Sequence, residues 1–440
     1  MSSTSDSKGS TRREFLAAST AAAGAAAAGS LAIQRSAHAA GSDAMRIGLI
    51  GCGGRGSGAV ASALSVNPSA RLTAMADAFD DRMHTSRAAL TKKFGDRIAV
   101  DDDHCFADFD GHEKLLASGV DLAILGEPPH FRPRHIEACV EAGVHVFAEK
   151  PMAVDVPGVH RVLAAGQVAR RKNLSFISGF ETRYNPAARE AVARVHDGAI
   201  GELVAIEGHY NVGFLWHRGR QPDDTEMKYQ MRNWYYFTWL SGDHIVEQHV
   251  HFMDLMSWFV QEQRPERAWG YGGRSVRTEP KWGDIFDHHA VAFEYPGNLQ
   301  AFTFTRQQTG CWNEVGFVIM GTKGRLSSAP GWGGYVIEGE TNWRIEKPDV
   351  HPEINCFEEV FAAIDRGKPI NDAETMAGST MVAILGRMAT HSGQRIEWDD
   401  AYASNLVLAP ERYDWDADPP VLPNPDGTYP HPIPGATEVM

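Results

Sequence analysis

The chain has 440 residues, of which 43% are hydrophobic, and a formal net charge of -14 at pH 7. This length allows two domains with a substantial core. The acidic balance argues against nucleic acid or an anionic membrane as a partner, because both bind basic surfaces, and it favours a small-molecule partner. The 5 cysteines are scattered without a CxxC pair, so they predict neither a disulfide framework nor a cysteine zinc site.

Residues 1–39 have the composition of an export signal. Arg12 and Arg13 precede a run rich in alanine and glycine, which is typical of a twin-arginine signal peptide, and the small residues at 37–39 supply a cleavage site. A membrane anchor is the weaker interpretation, because alanine and glycine give little hydrophobicity across a bilayer. We expect a periplasmic or otherwise exported protein, with no membrane partner after cleavage, that acquires its cofactor before export.

A glycine-rich loop follows the first predicted strand. The sequence MRIGLIGCGGRGSGAVASAL places Gly51, Gly53 and Gly56 in the order G-x-G-x-x-G between a strand and a helix. Glycines at this spacing allow a tight turn and close approach of the backbone, while the helix N-terminus faces a pyrophosphate. The loop therefore predicts a dinucleotide site, which also includes Gly54 and Arg55.

Asp77 ends the next predicted strand, 21 positions after Gly56. An acid at this place accepts hydrogen bonds from the adenosine ribose hydroxyls, and its charge disfavours the 2′-phosphate of NADP. The alternative is that Asp77 caps the helix that follows. The glycine loop favours the ribose role, so NAD is expected rather than NADP.

The later elements change in character along the chain. Strands and helices alternate up to about residue 170, which predicts a parallel sheet with ligands at the carboxyl ends of its strands. From about residue 175 the runs are β-rich, and two helices are predicted between Glu353 and His391. Residues 401–440 are rich in proline and cannot form a regular helix or a central strand. They form either a disordered end or an arm on a neighbouring subunit, docked by Tyr413, Trp415 and Tyr429.

The stretch SGDHIVEQHVHFMDLMSWF is predicted to form one helix. His244, Glu247, His251 and Asp254 recur at steps of three and four, so they share one face, while His249 points elsewhere. Imidazole and carboxylate groups on one face can bind zinc, but the stretch lacks the H-E-x-x-H pattern, and we expect no metal. A proton-transfer role for this face is the favoured interpretation.

Several motifs together resemble the Gfo/Idh/MocA oxidoreductases, the group of glucose-fructose oxidoreductase and inositol dehydrogenase. They are GCGGRG, GEPPHFRPRH, AGVHVFAEKPMAVDV, SGFETRYNP, DGAIGELVAI, GTKGRL and THSGQRIEW, and they extend from about residue 45 to about residue 400. The resemblance implies an α/β protein with an N-terminal Rossmann domain at 45–170. It also implies a C-terminal α/β domain at 171–400, with a large, mostly antiparallel open sheet through which a homo-oligomer forms.

The resemblance further implies catalytic roles for Lys150, His251 and Glu247. The family pattern G-G-x-x-x-D-x-G-x-H-x-x-D puts Glu247 at the acid and His251 at the histidine; Glu replaces the usual Asp, and His249 replaces the usual Gly. His251 is assigned as the base for a hydroxyl proton. Glu247 orients it or the substrate, and Lys150 holds the reacting oxygen and shares the proton.

The remaining predicted site residues divide by ligand. The cofactor set is completed by residues at the ends of two strands, namely Pro128, His130, His135, Glu149 and Lys150. Aromatic faces beside charged groups suit a polyhydroxylated ring. Trp234 and Tyr236 are assigned to the substrate on this ground, and Arg183 and Tyr184 are further candidates to line the pocket. The resemblance to the family pattern adds His249 and Asp254 to this set. Core packing is the alternative interpretation of each aromatic residue.

These assignments predict an exported oxidoreductase that transfers hydride between tightly bound NAD and a hydroxyl of a sugar, polyol or glycoside. One alternative is an NAD-dependent glycoside hydrolase that works by transient oxidation and elimination. The second alternative is a non-enzymatic sugar or nucleotide sensor. Lys150 and His251 argue against a sensor, because binding alone does not require them.

Overall fold

A six-stranded parallel sheet forms the first half of residues 44–440, the part of the chain that the computed structural model describes. The export signal predicted at 1–39 lies outside the described residues. The strands are mostly buried on both faces, which suits their runs of isoleucine, leucine, valine and alanine. They are β1 (Arg46–Ile50), β2 (Arg71–Asp77), β3 (Cys105–Ala107), β4 (Leu122–Leu125), β5 (His145–Ala148) and β6 (Phe176–Ser178).

The strand order β3-β2-β1-β4-β5-β6 changes direction between β1 and β4. Both strands that flank β1 run parallel to it. In an open sheet of this kind, ligands bind in the crevice at the carboxyl ends of the strands beside such a reversal. The glycine loop after β1 and Pro128 after β4 therefore meet at that crevice.

Five helices connect these strands. Their starts carry local capping signals, such as Asp155, whose carboxylate accepts a hydrogen bond from the Gly158 N–H at 2.8 Å. The helices are α1 (Gly54–Val66), α2 (Asp80–Phe94), α3 (Gly111–Ala117), α4 (Arg132–Glu141) and α5 (Val156–Arg171).

A nine-stranded sheet forms most of the second half. Its order is β14-β13-β12-β11-β7-β10-β9-β8-β15, and β10 with β7 is its parallel pair, while the other neighbours are antiparallel. The prediction of a mostly antiparallel open sheet is confirmed. The strands are β7 (Leu203–Val212), β8 (Arg267–Gly273), β9 (His288–Glu294), β10 (Gln300–Gln307), β11 (Glu314–Gly321), β12 (Gly324–Ser328), β13 (Gly334–Gly339), β14 (Trp343–Glu346) and β15 (Ile396–Glu397).

The helices of the second half tie it to the first sheet. Just before the last long helix, the chain pairs with β6 through a bridge between Asn371 and Phe176. Residues 46–440 consequently form one compact unit. The helices are α6 (Pro186–His196), α7 (Glu226–Arg232), α8 (Thr238–Ser241), α9 (His244–Glu247), α10 (Val250–Phe259), α11 (Pro352–Asp365), α12 (Ala373–Ser392) and α13 (Trp398–Tyr402). The two helices predicted between Glu353 and His391 are confirmed as α11 and α12.

The prediction of a single helix from Ser241 is wrong, because the helix is interrupted between α9 and α10. The N–H of His249 donates to the carbonyl of His244, five residues back, and the N–H of Phe252 donates to His249, only three residues back. These bonds interrupt the regular ladder of bonds four residues apart. Glu247 therefore ends one short helix, and His251 belongs to the next.

The proline-rich end has neither helix nor strand between residues 403 and 440. This end packs against earlier parts of the same chain. The N–H of Leu408 donates to Asp155 at 2.9 Å, and the N–H of Gly435 donates to the Ser392 carbonyl at 2.7 Å. Within the described part of the chain, no helix combines the length and the apolar character needed to cross a bilayer.

Candidate active site

Two of the three motif glycines have no space for a side chain. Gly51 has a positive φ of 86°, and a Cβ added there would lie 2.2 Å from the Glu127 nitrogen. A Cβ on Gly56 would lie 2.2 Å from the Gly51 carbonyl oxygen. Gly53 has open space in front of it, with the Arg82 guanidinium nearest at 3.8 Å. Packing requires glycine at Gly51 and Gly56, whereas Gly53 leaves room for a ligand.

A crevice opens in front of this loop. The walls come from the loops after β1, β2, β3 and β4, together with the segment around α7. The lining residues that matter below are Gly51, Gly53, Asp77, Phe79, Arg82, Phe109, Pro128, Phe131, His135 and Trp234. These residues fit a dinucleotide. The glycines let the ligand approach the backbone, Asp77 is an acid in the wall, and aromatic rings line the rest of the crevice.

Asp77 belongs to the wall of this crevice. Its carboxylate accepts hydrogen bonds from the backbone N–H of Cys52 at 2.6 Å and of Phe79 at 2.9 Å. Burial raises the pKa of this carboxyl above its ordinary value. The side chain of Asp77 does not cap α2, whose N-terminal flank is Phe79 without a side-chain cap. The alternative interpretation of Asp77 as a helix cap is therefore wrong.

Lys150 follows β5 and reaches the helix that carries Glu247. Its ammonium donates to Glu247 Oε1 at 2.9 Å and to the Glu247 carbonyl oxygen at 2.5 Å. Both side chains are mostly buried, at 11% and 13% exposure. These two oxygen acceptors, one in the side chain and one in the main chain of Glu247, fix the direction of the Lys150 ammonium.

The neighbouring Glu149 links the same strand end to the glycine loop. Glu149 Oε1 accepts a hydrogen bond from Arg55 Nε at 2.7 Å, and the Arg55 guanidinium also pairs with Glu353 of α11. Burial tends to lower the Arg55 pKa, but these two carboxylates outweigh it and raise the pKa above its ordinary value. Arg55 and Glu149 were both assigned to the cofactor, and in the structure they contact each other.

His251 lies close to this ion-pair network without a hydrogen bond to it. Its ring centroid is 6.4 Å from Phe180 and 6.0 Å from Trp332. Burial, followed by the positive charges of Lys150 and Arg55, lowers the pKa of His251 well below its ordinary value. The imidazole is therefore neutral at pH 7. A neutral ring has a lone pair with which it can accept a proton.

A group of polar side chains adjoins Glu247, and sequence reasoning missed most of it. Gln248 Oε1 accepts hydrogen bonds from Tyr235 OH at 3.1 Å and from Gln307 Nε2 at 2.7 Å, while Gln248 Nε2 donates to Tyr210 OH at 3.2 Å. Tyr210 and Gln307 come from β7 and β10, which pair in parallel. Only strand register brings them together. Gln248 itself could have been noticed, because it follows Glu247 directly.

Two of the predicted substrate residues form a buried ion pair instead. Arg183 Nε donates to both carboxylate oxygens of Asp254 at 2.9 Å, and Ser379 Oγ donates to Asp254 at 2.8 Å. Asp254 is 1% exposed. Arg183 also pairs with Glu262 at 2.8 Å. The assignment of Arg183 and Asp254 to the substrate is therefore corrected to a structural role, because their polar atoms are already paired.

The other predicted substrate residues also have contacts of their own or lie in a different part of the structure. The hydroxyl of Tyr184 donates to Asp372 at 3.0 Å, and that of Tyr236 donates to the Leu215 carbonyl at 3.0 Å. His249 is fully buried, and burial lowers its pKa to about 3. Trp234 lines the crevice on the side of Asp77 and Phe79. These positions correct the substrate assignment, because folding buries three of the rings and puts the fourth in the dinucleotide crevice.

The two histidines assigned to the cofactor differ in position. His135 lines the crevice and bonds through Nδ1 to Glu127 Oε1 at 3.1 Å. The ring of His130 contacts the Tyr413 hydroxyl at 2.7 Å, and burial lowers its pKa to about 3. His130 is thus occupied by the proline-rich end, which corrects its assignment as a direct cofactor ligand, while Pro128 lies in the wall as predicted.

The zinc set considered from the sequence is not assembled. His244 Nδ1 bonds to Asp243 Oδ1 at 3.0 Å, whereas Glu247 is bound to Lys150. Asp243, His244 and His289 do have ligand atoms within 4.8 Å of one another. The Asp243 carboxylate is nevertheless satisfied by hydrogen bonds, including those from the Phe286 N–H and the His391 ring, both at 2.9 Å. This cluster joins the start of α9 to α12.

Comparisons with known proteins agree with this geometry. Two family profiles match: "Oxidoreductase family, NAD-binding Rossmann fold" at residues 45–180 and "GFO/IDH/MocA C-terminal domain" at residues 188–327.

Inositol 2-dehydrogenase of Rubrobacter xylanophilus is 27% identical over 307 residues, 68% of this chain and 75% of that protein. A 2,7-anhydro-N-acetylneuraminate hydratase of Escherichia coli is 24% identical over 257 residues, 57% of this chain and 64% of that protein, which is less than two thirds of its length. The solved aldose-aldose oxidoreductase of Caulobacter crescentus in complex with glycerol has a TM-score of 0.62 at 15% identity, over 80% of this chain and 99% of that one, and shares the fold.

Proposed function

Because the chain belongs to the Gfo/Idh/MocA oxidoreductase family, we propose that it transfers hydride between NAD in the crevice and a hydroxyl-bearing carbon of a sugar, polyol or glycoside. The relative named inositol 2-dehydrogenase supports a polyol or sugar as the substrate. The single observation that carries the proposal is the Lys150–Glu247 contact at 2.9 Å beside the neutral ring of His251. NAD is preferred to NADP, because the Asp77 carboxylate lies in the crevice wall.

The chain's own residues supply the proton chemistry. NAD, when bound, supplies the hydride acceptor. Lys150 holds the substrate oxygen through its one remaining N–H and stabilises negative charge on that oxygen. Glu247 keeps the Lys150 ammonium in place. His251 accepts the hydroxyl proton at a ring nitrogen as the hydride leaves, and the two cations nearby make it return that proton readily.

A second candidate is the redox-assisted hydrolase. The relative named 2,7-anhydro-N-acetylneuraminate hydratase favours it, because that name describes addition of water and not net oxidation. In this alternative, hydride leaves to NAD, the ketone acidifies the neighbouring C–H, elimination expels the aglycone, water adds, and hydride returns. Both candidates use the same Lys150, Glu247 and His251.

Product mass spectrometry on a panel of sugars, polyols and glycosides separates the two candidates. Loss of two hydrogens from a substrate, with NADH formed, identifies the dehydrogenase. Cleavage with gain of water and no net NADH identifies the hydrolase. Lys150→Met and Glu247→Gln should lower kcat in either case while NAD stays bound. Full activity in both variants would refute these roles, and tighter binding of NADP than of NAD would refute the cofactor choice.

We also propose export through the twin-arginine route with tightly held NAD, supported by Arg12 and Arg13 ahead of the alanine-rich run. Free NAD is scarce outside the cytoplasm, so an exported enzyme has to retain its own. Replacing both arginines by lysine should keep the protein in the cytoplasm when the cells are fractionated. An unchanged periplasmic fraction would contradict the proposal, and so would purified wild-type protein that carries no nucleotide.

Oligomerisation through the nine-stranded sheet is proposed from its uncovered face. Phe302 and Phe304 are 37% and 41% exposed on β10, and Tyr271 is 71% exposed. Ala290 of β9 pairs with Tyr271 of β8 on one side and with Phe304 of β10 on the other, so Tyr271, Ala290 and Phe304 lie in one row on the same face. Exposed aromatic residues in such a row mark an interface. Phe302→Glu with Phe304→Glu should give monomers in light scattering, whereas an unchanged mass would reject this face.

A further inference from the structure

The C-terminal segment, residues 404–440, packs behind the walls of the crevice. The Trp415 ring lies between Phe79 and Phe109, with ring centroids 5.0 Å and 4.7 Å away. Tyr413 lies 6.1 Å from Phe109 and 5.7 Å from Phe131. Phe79, Phe109 and Phe131 all line the crevice. Tyr413 and Trp415 therefore pack against the rings that form its wall.

The three wall rings come from separate loops. Phe79 follows β2, Phe109 follows β3, and Phe131 follows β4. Adjacent loops at the ends of parallel strands have few backbone bonds to one another, because the sheet hydrogen bonds end with the strands. Tyr413 and Trp415 touch all three rings and therefore hold the loops at fixed spacing. The Tyr413 hydroxyl adds a 2.7 Å bond to His130, in the loop after β4.

The segment is anchored on both sides of these rings. Upstream, the N–H of Leu408 donates to Asp155 at the start of α5. Downstream, Thr225 Oγ1 donates to the Trp415 carbonyl at 2.5 Å, and Gln230 Nε2 donates to the Val421 carbonyl at 2.7 Å. Thr225 and Gln230 belong to the start and body of α7. The anchors keep the two rings in place without help from a ligand.

We propose that Trp415 and Tyr413 are positioning residues of the dinucleotide site, which set the spacing of its aromatic walls and thereby the affinity for the adenosine half of NAD. The inference rests on the proposed function, because it takes NAD as the occupant of the crevice. In this proposal the C-terminal segment does not contact the reacting groups. The segment should therefore control binding and release of the cofactor and leave the hydride step unaffected once NAD is bound.

The test compares Trp415→Ala and Trp415→Phe with Leu422→Ala, a control at a 46% exposed position of the same segment. Cofactor affinity and dissociation rate are measured by NADH fluorescence on nucleotide-free protein, and kcat is measured at saturating NAD. We expect at least a tenfold rise in Kd and a faster release for Trp415→Ala, with kcat within about twofold. Trp415→Phe should recover most of the affinity, because phenylalanine keeps a ring between the two walls.

Several outcomes overturn the inference. One is a Kd for Trp415→Ala within twofold of wild type; another is an equal rise in Leu422→Ala; a third is a fall in kcat without a change in Kd. Amide exchange of wild-type protein supplies a readout that needs no variant: NADH should slow exchange at 411–417, and unchanged exchange there refutes the proposal. Wild-type protein that does not bind NADH refutes the proposed function instead, so the two failures are distinguishable.

Discussion

Arg183→Met tests whether the Arg183–Asp254 pair is structural or belongs to the substrate. The substitution keeps a long apolar side chain and removes the guanidinium, which leaves the Asp254 carboxylate at 1% exposure with Ser379 Oγ as its remaining side-chain donor. Removing one partner of a buried ion pair costs about 3 to 5 kcal/mol, because the other charge is left unpaired. The Glu262 contact adds little, since that carboxylate is 37% exposed.

The double variant Arg183→Met with Asp254→Leu separates the lost pair from the stranded charge. Replacing both partners of a buried pair by apolar residues is often neutral or stabilising, so the double variant should recover most of the loss. Arg325→Met is the matched control, because Arg325 pairs with Glu338 at 59% and 52% exposure. A surface pair of this kind contributes less than about 1 kcal/mol.

The assay is urea unfolding followed by tryptophan fluorescence, together with KM for the substrate found in the product screen. We expect a loss of about 3 to 5 kcal/mol for Arg183→Met, recovery in the double variant and little change in the control. KM of the folded single variant should be close to wild type. A KM raised more than tenfold with an unchanged free energy of unfolding would return Arg183 and Asp254 to the substrate site.

Two other predictions concern the crevice and a buried acid. Gly51→Ala should weaken NADH binding more than tenfold in a fluorescence titration, because its Cβ would meet the Glu127 backbone, whereas Gly58→Ala in α1, with nothing within 4 Å of its Cβ, should bind normally; equal affinities would refute the steric argument. Burial raises the pKa of Asp284 to about 7, so the stabilisation by its protonated form is complete below about pH 4 and is lost as the pH rises through 7. Asp284→Asn, which keeps an oxygen for the Thr238 N–H, should become more stable relative to wild type by about 2 to 4 kcal/mol between pH 4 and pH 8 in thermal unfolding; a constant difference would contradict the assigned pKa.

The parts of the site that depend on local sequence were predictable. The glycine loop and Asp77 follow strands whose apolar runs identify them, and the sheet order then puts them in one crevice. Lys150 and Glu247 came from the family resemblance, and they meet at 2.9 Å. In each case the position of the residue at the end of an element determines where its side chain lies.

The parts that depend on contacts between distant segments were not predictable. Arg183 and Asp254 are 71 residues apart, and Ser379 is a further 125 residues along the chain. A charged residue in a polar motif has the same sequence signature whether it binds a substrate or another side chain. The break after Glu247 was also missed, because helical spacing continues across it and does not reveal that the His249 N–H bonds five residues back.

The two departures from the family pattern bear on which reaction the site can perform. Glutamate is longer than aspartate by one methylene, and it reaches Lys150 from the end of a four-residue helix. The histidine at the usual glycine position is fully buried against Phe252 and Tyr210, with ring centroids 5.6 Å and 6.4 Å away, so its ring nitrogens are shielded from a substrate.

His249 therefore adds bulk at this corner of the site and no second base. Elimination from an oxidised sugar needs a base for the acidified C–H as well as a group that handles the hydroxyl proton. With His249 buried, one of Lys150, Glu247 and His251 would have to serve in both steps. Simple dehydrogenation requires each of these groups only once, so the arrangement favours the dehydrogenase over the hydrolase. If product analysis nevertheless finds hydrolysis, His251→Gln should abolish the hydride step and the elimination step together.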